Sequence, residues 1–373
     1  MREAVIVAAT RTAVGRRKGG LADVRPDDLL ADILESVVKR AGIEKAAVED
    51  VIIGCVTQSQ EQSMNIARTA TLMAGFPIEV PGVTIDRQCG SSLQAMHFAA
   101  QAILAGDMDI VIAGGVESMT RVPMFIHTDG AQQSKRLREQ YDIIHQGLSA
   151  ERMAEKWALT KEDVNDFAAT SHKRALQAIE AGHFDEEITA IGHVTRDEGP
   201  RPDTNSESLA ALKTVFKEDG VITAGNASQM SDGASAVVVM SLEKAQELGL
   251  KPLAKIIARS VVGSDPTLML TGPIEATKRV LQRANLTLAD IDTFEVNEAF
   301  APVPLVWAQE LGADLTKVNP DGGAIALGHP LGATGTKLVT SMLYRMQREN
   351  LQYGLVAICE GMGMANATIL EKM

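Results

Sequence analysis

Val83-Thr84-Ile85-Asp86-Arg87-Gln88-Cys89-Gly90-Ser91-Ser92-Leu93-Gln94-Ala95 is the stretch around which the rest of the chain can be organised. Val83 to Ile85 reads as the buried end of a strand. From Ser91 the apolar residues Leu93, Ala95, Met96, Phe98, Ala99, Ala102, Ile103 and Leu104 are spaced as in a largely buried helix. Cys89 therefore falls at a strand-to-helix turn. Gly90 permits tight backbone there, and the unpaired amides of a helix start favour negative charge beside them. A thiolate in that position is expected to be stabilised and nucleophilic. A lone cysteine is more often a small buried apolar side chain, so the reading depends on what the chain brings to this turn.

Outward from the turn, strands alternate with helices. Ala4 to Ala9 reads as a buried strand, followed by a basic, glycine-containing loop from Arg11 to Gly20. A helix is expected at about Pro26 to Ala41, with Pro near its start, Asp27 and Asp28 in the first turn and apolar residues at Leu29, Leu30, Ile33, Val37 and Val38. Val51 to Val56 is the next strand, about Asn65 to Ala74 the next helix, and Ile110 to Gly115 a strand ending in a glycine turn. Such alternation implies a largely parallel sheet covered on both faces.

The second half repeats the order. Pro273 to Arg283 is a helix and Ile291 to Asn297 a strand; a helix from about Thr334 to Glu349 leads into the strand Leu355 to Cys359. Cys89 and His329 then occupy matching turns of two related halves, which a duplicated fold brings together across a pseudo-two-fold axis. Between the halves, about Ser118 to Thr223 breaks the pattern. It is more charged, holds helices at about Ala150 to Trp157 and Glu162 to Ala181, and includes a polar loop from Asp197 to Ser208. Thr160 and Asp163 are placed as a capping box. The expected organisation is an N-terminal half formed by residues 1–117 and 224–248, an inserted lid or loop region at 118–223, and a C-terminal half at 249–373.

The 373 residues, 45% hydrophobic and 23% charged, have the balance of a globular protein with a sizeable core. A formal charge of −12 argues against a nucleic-acid or anionic-membrane partner, while leaving room for a local basic pocket. Three cysteines cannot all pair with one another, and no signal-like segment stands at the start, so a cytoplasmic setting with free thiols is expected. Cys55, on an apolar strand, reads as core, and Glu186-Glu187 as solvated. No Cys-x-x-Cys or His-x3-His pair suggests a metal, and the Asp321 to Gly335 stretch lacks the Gly-Lys-Ser/Thr ending of a phosphate loop.

Four elements carry reactive groups: Cys89; Asn297 in Asn297-Glu298-Ala299-Phe300-Ala301; His329 in Gly328-His329-Pro330; and Cys359 in Cys359-Glu360-Gly361-Met362-Gly363. With Gly114-Gly115-Val116-Glu117-Ser118-Met119, Gly225-Asn226-Ala227-Ser228 and the run Gly322 to Gly335, the chain resembles the thiolase family over essentially its whole length. The resemblance implies a five-layered αβαβα fold, a homodimer or homotetramer, and reversible cleavage or synthesis of 3-ketoacyl-CoA.

It also implies roles. Cys89 takes the acyl group and His329 its proton; Cys359 is the acid–base group of the second half-reaction. His329 and a water held by Asn297 resemble a first oxyanion hole, and the amides of Cys89 and Gly361 a second. A thiolate suits such chemistry because it is both a good nucleophile and a fair leaving group for a thioester. No permanently bound cofactor is expected, coenzyme A and acetyl-CoA being substrates. By position within the resemblance, Arg201 meets the nucleotide phosphates, Phe216 packs on adenine, and Ala224 and Ser228 line the pantetheine channel. His145, Ala299 and Phe300 stand at the pocket wall, and Met269 faces the acyl end.

Two departures stand out. Many members carry Cys-x-Gly-Gly-Gly where this chain has Cys359-Glu360-Gly361-Met362-Gly363, so a carboxylate lies one residue from a thiol whose ionised form it disfavours if it points inward. Gln229-Met230-Ser231 replaces the commoner Gly-Leu-Asn. A ketoacyl-synthase-like condensing enzyme shares the nucleophile but relies on a His-His or His-Asn pair, against which Cys359 argues. A catalytically silent CoA- or lipid-binding homologue is disfavoured by the presence of Cys89, His329 and Cys359 together.

Overall fold

The computed structural model describes residues 2–373. The first half runs β1 (Ala4–Thr12), β2 (Gly15–Arg16), α1 (Pro26–Ala41), β3 (Asp50–Gly54), α2 (Ile66–Met73), β4 (Gly82–Ile85), α3 (Ser91–Ala105) and β5 (Ile110–Ser118). Next come α4 (Lys135–Arg138), α5 (Gln146–Lys156), α6 (Lys161–Glu180), β6 (Ile188–Thr189) and α7 (Ser206–Ala210), before β7 (Ser231–Ser241) and α8 (Leu242–Glu247). The second half runs β8 (Ala254–Gly263), α9 (Gly272–Ala284), β9 (Thr293–Val296), α10 (Pro302–Leu311), α11 (Ala324–Leu327), α12 (Thr334–Arg348), β10 (Tyr353–Glu360) and β11 (Met364–Lys372).

The strand order β4-β3-β5-β7-β1-β8-β11-β10-β9 makes the duplication visible. Outward from the centre, β1-β7-β5-β3 on one side answers β8-β11-β10-β9 on the other. The seam between the halves is narrow: β1 and β8 are in register only at Val5↔Lys255 and Ile6↔Ala254. Each half-sheet can therefore turn about that seam and enclose a shared helix layer.

Period-two alternation builds the layers. Val5, Val7, Val51, Ile53 and Ile112 face Leu29, Ile33 and Val37 of α1, forming one outer core. Ile6, Ile52, Val111 and Val237 face the other way, meeting α3 and α12 together with Ile256, Val356 and Ile358 of the second half. Phe294, Leu355 and Ile369 face α9 and Trp307 of α10 in the other outer core. The result is the expected five-layered αβαβα arrangement, with α3 and α12 in the central layer. Those two helices cross so closely that a Cβ on Gly335 would overlap the backbone nitrogen of Leu93.

Helix α1 has the bounds expected from its sequence, with Pro at its start and Gly42 at φ 68° closing it. The Thr160–Asp163 capping box of α6 is present in both directions. Cys55 is buried in the outer core.

Four expectations need correction. Val83 is 41% exposed because β4 is the edge strand of the sheet and not a buried strand end. Gly114 and Gly115 lie inside β5, which continues to Ser118, and form no turn. Arg11 lies within β1, one residue before its end, instead of opening a loop, and Glu187 is buried rather than solvated. The last two have one cause: the Arg11 guanidinium meets Glu187 at 2.5 Å and both Asp197 oxygens at 2.7 and 2.9 Å. Burial of these charges is offset by pairing between residues far apart in sequence.

Candidate active site

Cys89 stands two residues ahead of α3, in a turn held by short local bonds. Gln88 adopts φ 48°, Asp86 Oδ1 accepts from its N–H at 2.6 Å, and Ser91 Oγ accepts from Arg87 N at 2.9 Å while donating to Gln88 O at 2.6 Å. A positive φ at a non-glycine residue costs on the order of 1 kcal/mol or more; here the flanking bonds hold it, and the thiol is only partly buried.

The helix-start argument predicted a stabilised thiolate, but the surroundings act in the opposite direction. Burial of the sulfur, followed by the negative charge potential of Cys359 and Glu360, pushes the Cys89 thiol well above its ordinary range. At rest Cys89 is a thiol, so its activation requires a proton acceptor.

A candidate acceptor, His329, comes from the other half and lines the same cavity as Cys89. His329 Nδ1 lies 2.6 Å from Thr334 Oγ1, and the Thr334 hydroxyl donates its single proton to Pro330 O at 2.8 Å. Thr334 can then only accept from Nδ1–H, which leaves Nε2 unprotonated and able to act as a base. Asn297 Nδ2 lies 3.3 Å from Nε2, and the backbone N–H of His329 donates to Ser231 Oγ at 2.9 Å. Burial, aided by the charge of Lys337, lowers the imidazole to about 3, so the ring is neutral. Asn297 Oδ1 is a buried acceptor with no protein partner.

Two buried carboxylates set the spacing of these parts. Glu117 accepts from Val56 N and Thr57 N at 3.0 Å each, from Gln62 Nε2 at 2.8 Å and from Gly332 N at 2.9 Å. It thus ties the His329 loop to the half that carries Cys89. Glu298 accepts from Asn319 Nδ2, Ser171 Oγ and Ile325 N at 2.7–3.1 Å, fixing the approach to His329. Glu117 belonged to a motif that marked the family, but its bridging role depends on a bond to a residue 215 positions away.

Cys359 is buried at the end of β10, with its thiol pushed up to about 12 by burial and then by Glu360. Glu360 does point inward: it is fully buried, and both its carboxyl oxygens lack a hydrogen-bond partner. Met362, where glycine is common, adopts φ 66° and turns its side chain to solvent. Gly361 lies close to Gln88, across from the Cys89 turn.

Cys89 and His329 line one cavity of about 150 Å³, whose wall includes Met119, Met124, Met230 and Leu331. His145, Phe216, Ala299 and Phe300 close another side, His145 stacking on Phe216 with ring centres 5.0 Å apart. Phe216 therefore stands in the inner cavity. Ala227, Ser228, Gln229 and Met230 also line an outer cleft of about 930 Å³, shared with Arg16, Arg17, Arg201 and Ala224. His172, which had no assigned partner in the sequence, lies in the same cleft and accepts from Arg201 N at 3.1 Å. Met269 is buried in the apolar cluster with Cys359 and Phe300 and is not among the residues lining the inner cavity.

Residues 4–243 match the family model of the thiolase N-terminal domain, and residues 250–372 that of the thiolase C-terminal domain. The chain belongs to the thiolase family. Over its full length this thiolase is 48% identical to steroid 3-ketoacyl-CoA thiolase FadA6 of Mycobacterium tuberculosis, covering 95% of that protein. It is 41% identical to acetyl-CoA acetyltransferase of Pseudomonas aeruginosa, with both chains fully covered. The crystal structure of the Bacillus anthracis acetyl-CoA acetyltransferase superposes with a TM-score of 0.93 at 40% identity, covering 100% of this chain and 99% of that one. Like these relatives, the thiolase is an acyltransferase. Among its described residues, no helix is long and apolar enough to cross a membrane.

Proposed function

We propose that this thiolase cleaves or forms 3-ketoacyl-CoA reversibly by a ping-pong mechanism with an acyl group carried on Cys89. The observation that carries the reading is the single cavity into which one half brings a protonated thiol and the other a neutral imidazole with an unprotonated Nε2. His329 Nε2 accepts the Cys89 proton as sulfur attacks the 3-keto carbonyl; the C–S bond forms, the bond between that carbon and the α-carbon breaks, and the α-carbon of the departing acetyl-CoA enolate takes its proton from Cys359. Free CoA, its thiol proton taken by Cys359, then attacks the acyl-Cys89 carbonyl; Cys89 leaves as thiolate and regains its proton from His329, and synthesis runs the same steps in reverse. Asn297, with a water on its open Oδ1, and His329 stabilise the enolate oxygen; the amides of Cys89 and Gly361 stabilise the tetrahedral oxyanion.

CoA fits the outer cleft, with Arg201 toward the phosphates, Ala224 and Ser228 beside pantetheine, and Phe216 nearer the thioester than adenine. Residues 118–223 act as the lid over that cleft. Three methionines at the acyl end form a deformable wall, so the resting cavity suits a short acyl group and yields to a longer one. A homodimer or homotetramer is favoured by the unpaired edge strand β4, beside which Met64 is 91% and Ile78 75% exposed. A cytoplasmic site of action suits the free thiols.

The test is loss of the acetoacetyl-CoA enolate absorbance on adding CoA, beside a 3-ketoacyl-CoA of about ten carbons, on enzyme whose assembly is read by sedimentation. Turnover of the short substrate alone makes it an acetyl-CoA acetyltransferase; preference for the longer makes it a degradative ketoacyl-CoA thiolase. Turnover of neither, with CoA still bound, would leave a silent binder and overturn the reading.

A further inference from the structure

The Glu360 carboxyl is the least explained group near the chemistry. Alternation along β10 sends Ile358 and Glu360 toward the central helix layer, while Cys359 points to the opposite face. Glu360 consequently lies under the start of α3: a Cβ on Gly90 would overlap Glu360 Oε1 and come within 2.8 Å of Asn366 Nδ2. Asn366 Nδ2 donates to Gly90 O at 2.9 Å, which also accepts from Gln94 N at 2.9 Å.

Three acceptor atoms in this pocket have no partner, namely both oxygens of Glu360 and Asn366 Oδ1. Among the described residues, the buried side-chain donor near them that lacks a partner is Arg87 Nε. A carboxylate adds charge and two acceptors to a place already short of donors, whereas a carboxylic acid adds a donor.

We propose that Glu360 is a positioning residue for acyl transfer that works as a neutral carboxylic acid, its O–H donated into the Gly90–Asn366 pocket to hold the Cys89 turn against the ends of β10 and β11. This rests on the acyl-Cys89 reading and adds a residue to it. The charged and titratable groups that face Glu360 are Arg87 and Asp86 from the turn before α3, Cys89 on that turn and Cys359 on its own strand. Burial, reinforced by Asp86 and opposed by Arg87, raises the carboxyl to about 9. Below that pH the group is the acid. Above it, a negative charge lies beside Cys89 and Cys359, where it opposes both thiolates and the oxyanion.

The experiment is the pH profile of kcat/KM for wild type, Glu360→Gln and Glu360→Ala, with alkylation of Cys89 by iodoacetamide followed over the same pH range. In wild type, kcat/KM should fall about tenfold per pH unit above about pH 9, as expected for one ionisation. Glu360→Gln, which keeps an N–H donor and cannot ionise, should hold within about threefold of wild type at pH 7.5 and lose the alkaline limb. Glu360→Ala should fall at least tenfold at pH 7.5 with KM little changed. Alkylation of wild-type Cys89 should lag behind that of Glu360→Gln above pH 9.

The proposal is overturned if Glu360→Gln is as impaired as Glu360→Ala at pH 7.5, or if wild type and Glu360→Gln share one alkaline limb. Alkylation curves that diverge as expected in a protein without thiolase turnover would defeat the functional reading and leave the acid form of Glu360 standing. Coincident curves with normal turnover would do the reverse.

Discussion

The Cys89 turn and the His329 turn occupy matching places, each leading into a helix of the central layer, yet they are built in opposite ways. Cys89 is partly buried behind an edge strand and beside a residue at positive φ, and among the described residues no side chain hydrogen-bonds its sulfur. His329 is buried, with its ring nitrogens and its backbone N–H all engaged by Thr334, Asn297 and Ser231. Duplication supplied two equivalent positions; hydrogen bonding assigned them different work. In the proposed mechanism the freer side chain carries the acyl group, and the fixed one presents a lone pair in a constant direction.

Breaking the carrier should have the largest effect. Cys89→Ala is expected to lower acyl transfer by at least about 10⁴-fold, because the covalent route is lost as a unit, while the melting temperature stays near that of the parent. Turnover retained in the assay of acetoacetyl-CoA thiolysis would remove the mechanism. Removing the fixed partner should cost somewhat less: His329→Ala should slow acylation by about 10²–10⁴-fold, the range of general-base catalysis. Because burial lowers the imidazole to about 3, wild-type His329 remains the free base as pH falls from 8 to about 5. The burst of CoA release should therefore show no acid limb centred near 6.5, and such a limb would contradict a buried neutral ring.

The smallest effect sharpens the contrast. Thr334→Val removes the acceptor for Nδ1–H and frees the ring to change tautomer, so kcat should drop on the order of tenfold, as for other groups that orient a reacting histidine. KM should hardly move, and Thr334→Ser should restore most of the rate. An equal change in Cys89→Ala residual activity and in Thr334→Val would mean the two turns are not divided in this way.

Local signals in the sequence accounted for elements but not for environments. Pro26, the acidic first turn and Gly42 define α1 without help from tertiary contacts, and the repeated helix–strand order foretold the mirrored sheet. The matching turns of Cys89 and His329 followed from the same repeat, while Asn297 and Cys359 were singled out by motifs that resemble the family's. Their protonation was not legible. The turn before α3 favours a thiolate when considered alone; the opposing influence comes from desolvation and from residues on β10, more than 260 positions away. Arg11 and Glu187 were misjudged for a related reason, since one counts as a surface charge until its partner from another segment is placed beside it. Thr334 and His172 carried no pattern that separates them from ordinary polar residues, and Ser231 stood out only as a departure from the family's commoner run. Only the fold brings them to a reacting group or its cleft.

The Glu117 bridge has a consequence for how the site behaves on heating. An anion gripped by four N–H donors, from Val56, Thr57 and Gln62 of one half and Gly332 of the other, is a short, stiff strut, whereas the apolar cores on either side are held by many weak contacts that loosen together. Thermal expansion of the layers should thus be taken up away from the strut, and the gap between sulfur and imidazole should drift less with temperature than the separation of the helices that carry them.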